Sequence, residues 1–519
     1  MLARNPSLVI LGAGFAGSLC ALGAHRLGHS VLVLDKARHP RFAIGESSTP
    51  VANRVLHDLA VRYDLPRLLP LTKYGPWQRT YPTIVSGLKR GFSYFAQQPG
   101  LPFRPDPAHG NELLVAASAH DETSDTQWLR ASVDAFLAAE VRAAGIELWE
   151  GVQLAPLEHR GPGDWRLSGR RGAFTDLPAA EEPFEITTPL LIDGTGEASV
   201  VARTLGIEER RDQLQTRSRS LFSHFTGVGS WRSWLADHGG DVACHPFPCD
   251  DAAQHMLLDG AWMWVLRFNN GVTSAGLAID EHRHPLPDGI RPEEEWADWL
   301  RTYPSVGEML ADTQVVTPPG RLVRTGRIQR RWARAVGVDW VALPHTAGFI
   351  DPLHSTGIAH SLCGVERLLH LLGQTGGGAA LAAALPSYEA TVFREIDLID
   401  LLVAGCYRTL GRFRLFATWS MLYFAAATTY ERRRATEGYA PQREFLNADD
   451  ATFRGLVERL YDELGSVEPG EDAERRFEER VARALEPYNH VGLFDPAAQN
   501  LYRYTVAPDP ASPLPPTTR

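Results

Sequence analysis

The chain has 519 residues, a formal charge of −10, 44% hydrophobic and 22% charged content, and a pI near 6.0. That length exceeds one ordinary core and suits two or three packed lobes of a globular protein. The acidic balance gives no electrostatic basis for binding nucleic acid or an anionic membrane, which directs attention to small molecules.

The first forty residues run from apolar "LVIL" through a glycine turn and the helix-like "SLCALGAHRLG" to apolar "SVLVLD". This is a strand, helix, strand unit of the kind that builds a parallel sheet. Four apolar residues before the glycines are too few for a secretory core, so a cytoplasmic protein is expected. Residues 128–144 carry apolar positions at helical spacing and stop at Gly145, after which "IELWEGVQL" and "WRLSG" read as strands of a separate sheet. "PLLIDGTGEASVVARTLG" returns to the strand, turn and helix style. "WMWVLRFNNGVTSAGLAID" reads as a hairpin around "NNG". "WVALPHTAGFIDPLHSTGIAHSLCGVERLLHLL" is again a strand, a long turn and a helix.

The expected organisation is therefore α/β. A nucleotide-binding domain over 1–385 carries strand-rich inserts at roughly 75–125 and 205–320. A mostly helical region over 386–519 follows the glycine and alanine tract at 373–386, with a frayed proline-rich tail at 507–519. The longest apolar stretch, "LFATWSMLYFAAATTY" at 415–430, is short for a bilayer span and reads as a buried helix. The five cysteines (20, 244, 249, 363 and 406) are odd in number and scattered, and Cys244 to Cys249 lacks zinc-knuckle spacing. Free thiols and no metal site are expected.

Gly12, Gly14 and Gly17 form GxGxxG, with Ala16 inside it, between a strand and a helix, and Asp35 ends the next strand. The glycines allow a tight turn and close approach of backbone to a pyrophosphate. The helix start favours its charge, and the acid can accept ribose hydroxyls. "RFAIGESSTP", "LIDGTG" and "AGFIDP" supply further strand-end turns. Several turns around one ligand suit a long, tightly held FAD better than an exchanging nicotinamide.

With these motifs, "GESSTP" at 45–50, "GLKRGF" at 87–92, "WMWVLR" at 262–267 and "AGFIDPLHSTGI" at 347–358, the chain resembles the flavin-dependent halogenases. It looks nearest to their pyrrole and phenol branch. The resemblance implies a p-hydroxybenzoate hydroxylase-like FAD-binding fold with a Rossmann-type βαβ core, a β-sheet substrate lobe and a helical C-terminal region. It implies cofactor contacts at Gly12, Gly14, Ala16, Gly17, Asp35, Lys36, Gly45, Glu46, Ser47, Asp193, Gly348 and Asp351. Thr356 and Gly357 fall where backbone amides hold halide in the family. Trp262 and Trp264 fall where two tryptophans wall the flavin from the substrate.

The implied activity uses FADH2, O2 and chloride or bromide to make hypohalous acid, which is then led to an electron-rich aromatic ring, free or carrier-bound. A separate NAD(P)H-dependent flavin reductase is the implied partner. The chain has three lysines, Lys36, Lys73 and Lys89, among 52 basic residues, and Lys89 lies in "GLKRGF". A lysine can hold the oxidant by hydrogen bonding or carry halogen on its amine. Arginine, permanently charged and poorly nucleophilic, can do only the first. His354 stands where tryptophan halogenases carry glutamate. It is either a base or a packed histidine. Leu266 and Arg267 replace the Ile and Pro of the family's WxWxIP signature, which keeps a monooxygenase or other oxidoreductase on the same fold as the alternative, with a flavin-binding protein without turnover as a third.

Overall fold

The computed structural model describes residues 2–172 and 182–503. Five parallel strands form its first sheet, in the order Trp340–Ala342, Leu191–Asp193, Leu8–Leu11, Val31–Leu34, Glu147–Trp149. Leu8–Leu11 and Val31–Leu34 are buried throughout, which explains why they read as unbroken apolar runs. The helix Phe15–Arg26 packs tightly over the glycine turn. Gly12 has φ +95°, and a Cβ on Gly17 would lie 2.0 Å from the Gly12 carbonyl oxygen. Neither position tolerates a side chain.

The "IELWEGVQL" expectation is half corrected. Glu147–Trp149 joins the parallel sheet beside Val31–Leu34, because the helix Arg130–Ala143 before it completes a crossover back to that edge. Only Val152–Leu154 pairs with Trp165–Arg171, in a small sheet shared with Leu2–Arg4 and Glu182–Thr188.

Both strand-rich inserts feed one nine-stranded sheet, whose centre is Ser218–Thr226, Thr273–Asp280, Ala261–Arg267, Ala253–Leu258, Gly91–Ala96 and Glu112–Ala116. Ala261–Arg267 and Thr273–Asp280 are the expected antiparallel hairpin. Side chains alternate across it. Trp262, Trp264 and Leu266 enter the large core shared with the nucleotide domain and the C-terminal helices. Met263 and Val265 enter a second core with Phe95, Trp231 and Trp296.

The helices Thr356–Thr375, Gly378–Thr409 and Phe413–Glu437 cover the first of these faces. Every residue of 415–430 is buried, and Gly405 makes room for Trp419, whose indole nitrogen donates to the Leu402 carbonyl at 2.8 Å. No helix among the described residues is long and apolar enough to cross a membrane. All five cysteines are free. Position 386 lies inside the helix Gly378–Thr409, and the tail at 507–519 lies outside the described residues.

Candidate active site

At the first glycine turn, Gly14 caps the helix Phe15–Arg26 without a side-chain hydrogen bond, leaving the first helical amides open to an anion. A Cβ at Gly14 would have as its nearest neighbours a guanidinium nitrogen of Arg41 at 3.4 Å and one of Arg130 at 3.5 Å. Asp134 fixes Arg130 through two hydrogen bonds of 3.0 and 2.9 Å, and Arg41 lies 3.5 Å from Asp35 and 3.6 Å from Asp134. The Arg41 Nε is buried without a partner. Two guanidiniums over an uncapped helix start suit a pyrophosphate. Neither arginine carries a sequence signal, because both reach the turn from distant segments.

Asp35 accepts from the Ala13 amide and the Ala37 amide, each at 2.8 Å, so it ties the glycine turn to the second strand. Lys36 is exposed beside it. Three expected cofactor contacts are committed within the protein instead. Asp193 accepts from the Thr195 amide (2.9 Å), the Thr195 hydroxyl (2.6 Å) and the Val201 amide (2.7 Å). Asp351 accepts from Ser218 (2.9 Å), Tyr407 (2.8 Å) and the Leu353 amide (3.1 Å), and burial pushes its carboxyl up to about 6 against these bonds. Gly348 admits close packing, since a Cβ there would lie 2.6 Å from Ile396. These residues shape the cradle through the backbone they hold.

The segment 45–49 joins the parts of the site. Glu46 pairs with His224 at 3.0 Å, its carbonyl accepts from the Trp128 amide, and Ser48 exchanges hydrogen bonds with Thr126. Ser47 accepts a hydrogen bond from Ser355 at 3.0 Å. Ser355 is itself a left-handed residue (φ +53°) that turns the chain into the helix Thr356–Thr375. No side chain caps that helix, so its first amides, at Thr356 and Gly357, are not taken by Ser355 or Thr356 hydroxyls. A Cβ at Gly357 would meet nothing within 4 Å, which leaves open space over this helix start.

From the other side, Ser48 offers its carbonyl to Lys89 Nζ at 2.6 Å. Lys89 ends the strand Ser86–Lys89 and is fully buried, with Nζ 4.2 Å from the Phe92 ring centroid. Burial pushes the Lys89 ammonium down to about 7, opposed by the charge of Asp125. Asp125 lies directly opposite in the strand Asp125–Trp128 and accepts from the Asn53 amide at 2.6 Å, while its Oδ2 is buried without a partner. Burial raises Asp125, with Lys73, Lys89 and Asn53 opposing. Two of the three lysines thus attend one carboxylate. Sequence reasoning has no signal for Asp125, because only strand register sets it against Lys89.

An aromatic chain runs inward from Lys89. Phe92 and Tyr94 stack (6.3 Å), Tyr94 stacks on His255 (4.5 Å), and His255 meets Trp262 (5.3 Å), which neighbours Trp264 (5.9 Å). Phe92 also meets Tyr423, which stacks on His354 at 4.4 Å. Burial, with His255 nearby, pushes His354 down to about 3, so its imidazole is neutral at neutral pH. Its Nε2 lies 3.4 Å from Cys406 Sγ, and its Nδ1 and the Tyr94 hydroxyl are buried without partners. Arg267 turns away from the tryptophans and donates to the Val228 (3.0 Å) and Gly229 (2.5 Å) carbonyls, so its replacement of proline leaves the paired indoles in place.

The fold and this arrangement define a dinucleotide-binding protein, built on a Rossmann-type α/β domain joined to a large β-sheet lobe. A Tryptophan halogenase family model matches residues 255–426, and an NAD(P)-binding Rossmann-like domain model matches residues 10–77. The chain is 27% identical over 515 residues to tetracycline 7-halogenase of Kitasatospora aureofaciens, covering 93% of this chain and 86% of the relative. It is 26% identical over 450 residues to monodechloroaminopyrrolnitrin halogenase PrnC of Pseudomonas fluorescens, covering 85% and 75%. In fold it is similar to halogenase PltM in complex with phloroglucinol and FAD, with TM-score 0.80, 21% identity, and coverage of 96% of this chain and 99% of that one. These findings show an FAD-dependent enzyme similar in sequence and fold to flavin-dependent halogenases.

Proposed function

We propose that this enzyme uses FADH2, O2 and chloride or bromide to halogenate an electron-rich aromatic ring, phenolic or pyrrole. When bound, the reduced flavin with O2 supplies the oxidising equivalents that turn halide into hypohalous acid. The observation that carries this reading is the segment 45–49. Ser47 bonds the residue before the Thr356 and Gly357 amides, and Ser48 holds Lys89, so halide site and lysine hang on two consecutive residues.

Gly12, Gly14, Gly17, Arg41, Arg130 and Asp35 hold the dinucleotide. The open amides at Thr356 and Gly357 hold the halide as an anion at a helix start. Lys89, desolvated and flanked by Asp125, receives the hypohalous acid, either as a hydrogen-bond donor or as an amine able to bond halogen. The indoles of Trp262 and Trp264 keep the organic ring on the Lys89 side. His354, neutral, offers its unpartnered Nδ1 to a hydroxyl or N–H of the ring, and the aromatic side chains stack on its faces. Pyrrole on a peptidyl carrier protein occurs among the substrates named for relatives, which supports testing tethered rings as well as free ones. The enzyme works in the cytoplasm beside a separate NAD(P)H-dependent flavin reductase.

The test supplies purified protein with FAD, a flavin reductase, NADH and halide, and screens free and carrier-tethered phenols and pyrroles by mass spectrometry. A halide-dependent mass gain is expected. Oxygen insertion that ignores halide would replace this reading with a monooxygenase.

A further inference from the structure

His109, Glu112 and His245 converge on the opposite face of the nine-stranded sheet from the aromatic chain. Glu112 opens the strand Glu112–Ala116 and pairs with Phe95, whose side chain belongs to the second core. His109 lies near the end of the loop over 97–111, in left-handed backbone (φ +55°), and His245 lies in the loop over 238–252. His109 Nδ1 is 2.5 Å and His245 Nε2 3.2 Å from the same oxygen, Glu112 Oε1. All three side chains are at most 8% exposed. One potential ligand atom from each residue falls within 4.8 Å of the others.

Two imidazoles and a carboxylate meeting at one point form a nitrogen and oxygen donor set of the kind that holds Zn2+. Ligands at about 2.1 Å in tetrahedral geometry stand about 3.4 Å apart. The His245 to Glu112 separation fits that spacing. The His109 to Glu112 contact opens to it by rotation of the glutamate. The other nitrogen of His245, Nδ1, is buried without a partner, so the contact to Glu112 is what orients the ring. A cleft bounded by Asp106, Glu112, Asp241 and His245 gives the fourth position access to water.

We propose that His109, Glu112 and His245 bind one Zn2+ as a structural clamp that fastens the loops 97–111 and 238–252 to the sheet. The second loop also backs the strand next to Lys89. Its Cys249 carbonyl accepts from the Ser93 hydroxyl at 3.0 Å, and its Asp251 carbonyl accepts from the Arg90 amide at 2.7 Å. This site replaces the expectation of no metal, which rested on cysteine spacing alone.

The test strips the full-length enzyme with a chelator and titrates Zn2+ against a colorimetric competitor. One equivalent bound tightly is expected, with affinity reduced more than about 100-fold in His245→Asn and in Glu112→Gln, since each removes a ligand and loss of an outer partner alone costs about 10- to 100-fold. Zn2+ should raise the thermal midpoint of the wild type and leave that of the variants unmoved. Co2+ should give the visible bands of a four-coordinate site in the wild type, a readout that needs no variant to fold. A wild type that takes up no stoichiometric Zn2+ and gives no such bands overturns the proposal. So do folded variants that bind as tightly as the wild type.

Discussion

The two faces of the nine-stranded sheet obey the same alternation, yet they are covered differently. One face presents Phe92, Tyr94, His255, Trp262 and Trp264 to the segment 45–49 and the C-terminal helices, and leaves the Tyr94 hydroxyl and His354 Nδ1 unpartnered around a buried lysine. The other face packs Phe95, Phe103 and Trp231 edge to face beneath its own helices, and gathers His109, Glu112 and His245 at its rim. Open polar atoms among aromatic rings suit a transient organic guest. A closed core with one donor cluster suits a permanent fastening. Residue type alone does not separate the faces, since both are rich in tryptophan; what lies over each does.

Adjacent residues on the strand Ala261–Arg267 break this comparison most sharply. Trp262→Ala should cost about 3–5 kcal/mol and Met263→Ala about 2–5 kcal/mol by chemical denaturation. Only Trp262→Ala should lower the halogenated product per folded molecule. Equal losses of product in both would deny the faces distinct roles.

Lys89→Met should lower halogenated product about 100-fold or more at neutral pH while flavin oxidation continues. Lys89→Arg separates the two chemistries of the amine, since retained turnover would exclude an obligatory N-halogen bond. A smaller effect is expected at the halide site. Gly357→Leu fills space that is open in the fold, so it should raise the halide KM about tenfold with the melting temperature nearly unchanged. Unchanged halide dependence would remove the helix start from the mechanism.

The smallest effects concern protonation. Asp125→Asn removes the charge that opposes desolvation, so the Lys89 ammonium should fall further and the product pH profile should move down by less than about one unit. In the wild type, between about 7 and 10.5, the unfolded chain binds a proton that folded Lys89 has released. Stability relative to Lys89→Met should therefore rise with pH across that window, by at most about 1.4 kcal/mol per pH unit, and level off above it. Denaturation at several pH values reads this slope, and a falling difference would contradict a depressed lysine.

The glycine turn, the strand-end acid and the "NNG" hairpin are legible in the chain because each is a local device, set by φ, by spacing or by an alternation of period two. Lys89 stands out by composition, and its motif by resemblance. Its partners do not, because Ser48 reaches it from a segment far away in sequence and Asp125, itself held by Asn53, through strand pairing. Glu147–Trp149 was misplaced for the same reason, since a strand's sheet is chosen by the crossover before it.

The sequence by itself determined the nucleotide-binding turn with its strand-end acid, carried the resemblance to flavin-dependent halogenases, and set Lys89 apart as one of three lysines. Only the tertiary structure decided that this lysine is buried and loses its firm hold on its proton. It also decided that Asp193 and Asp351 spend their oxygens on the protein, and that His109, Glu112 and His245 meet. Burial and charge are properties of what surrounds a group in space, and desolvation acts across contacts that no sequence spacing records.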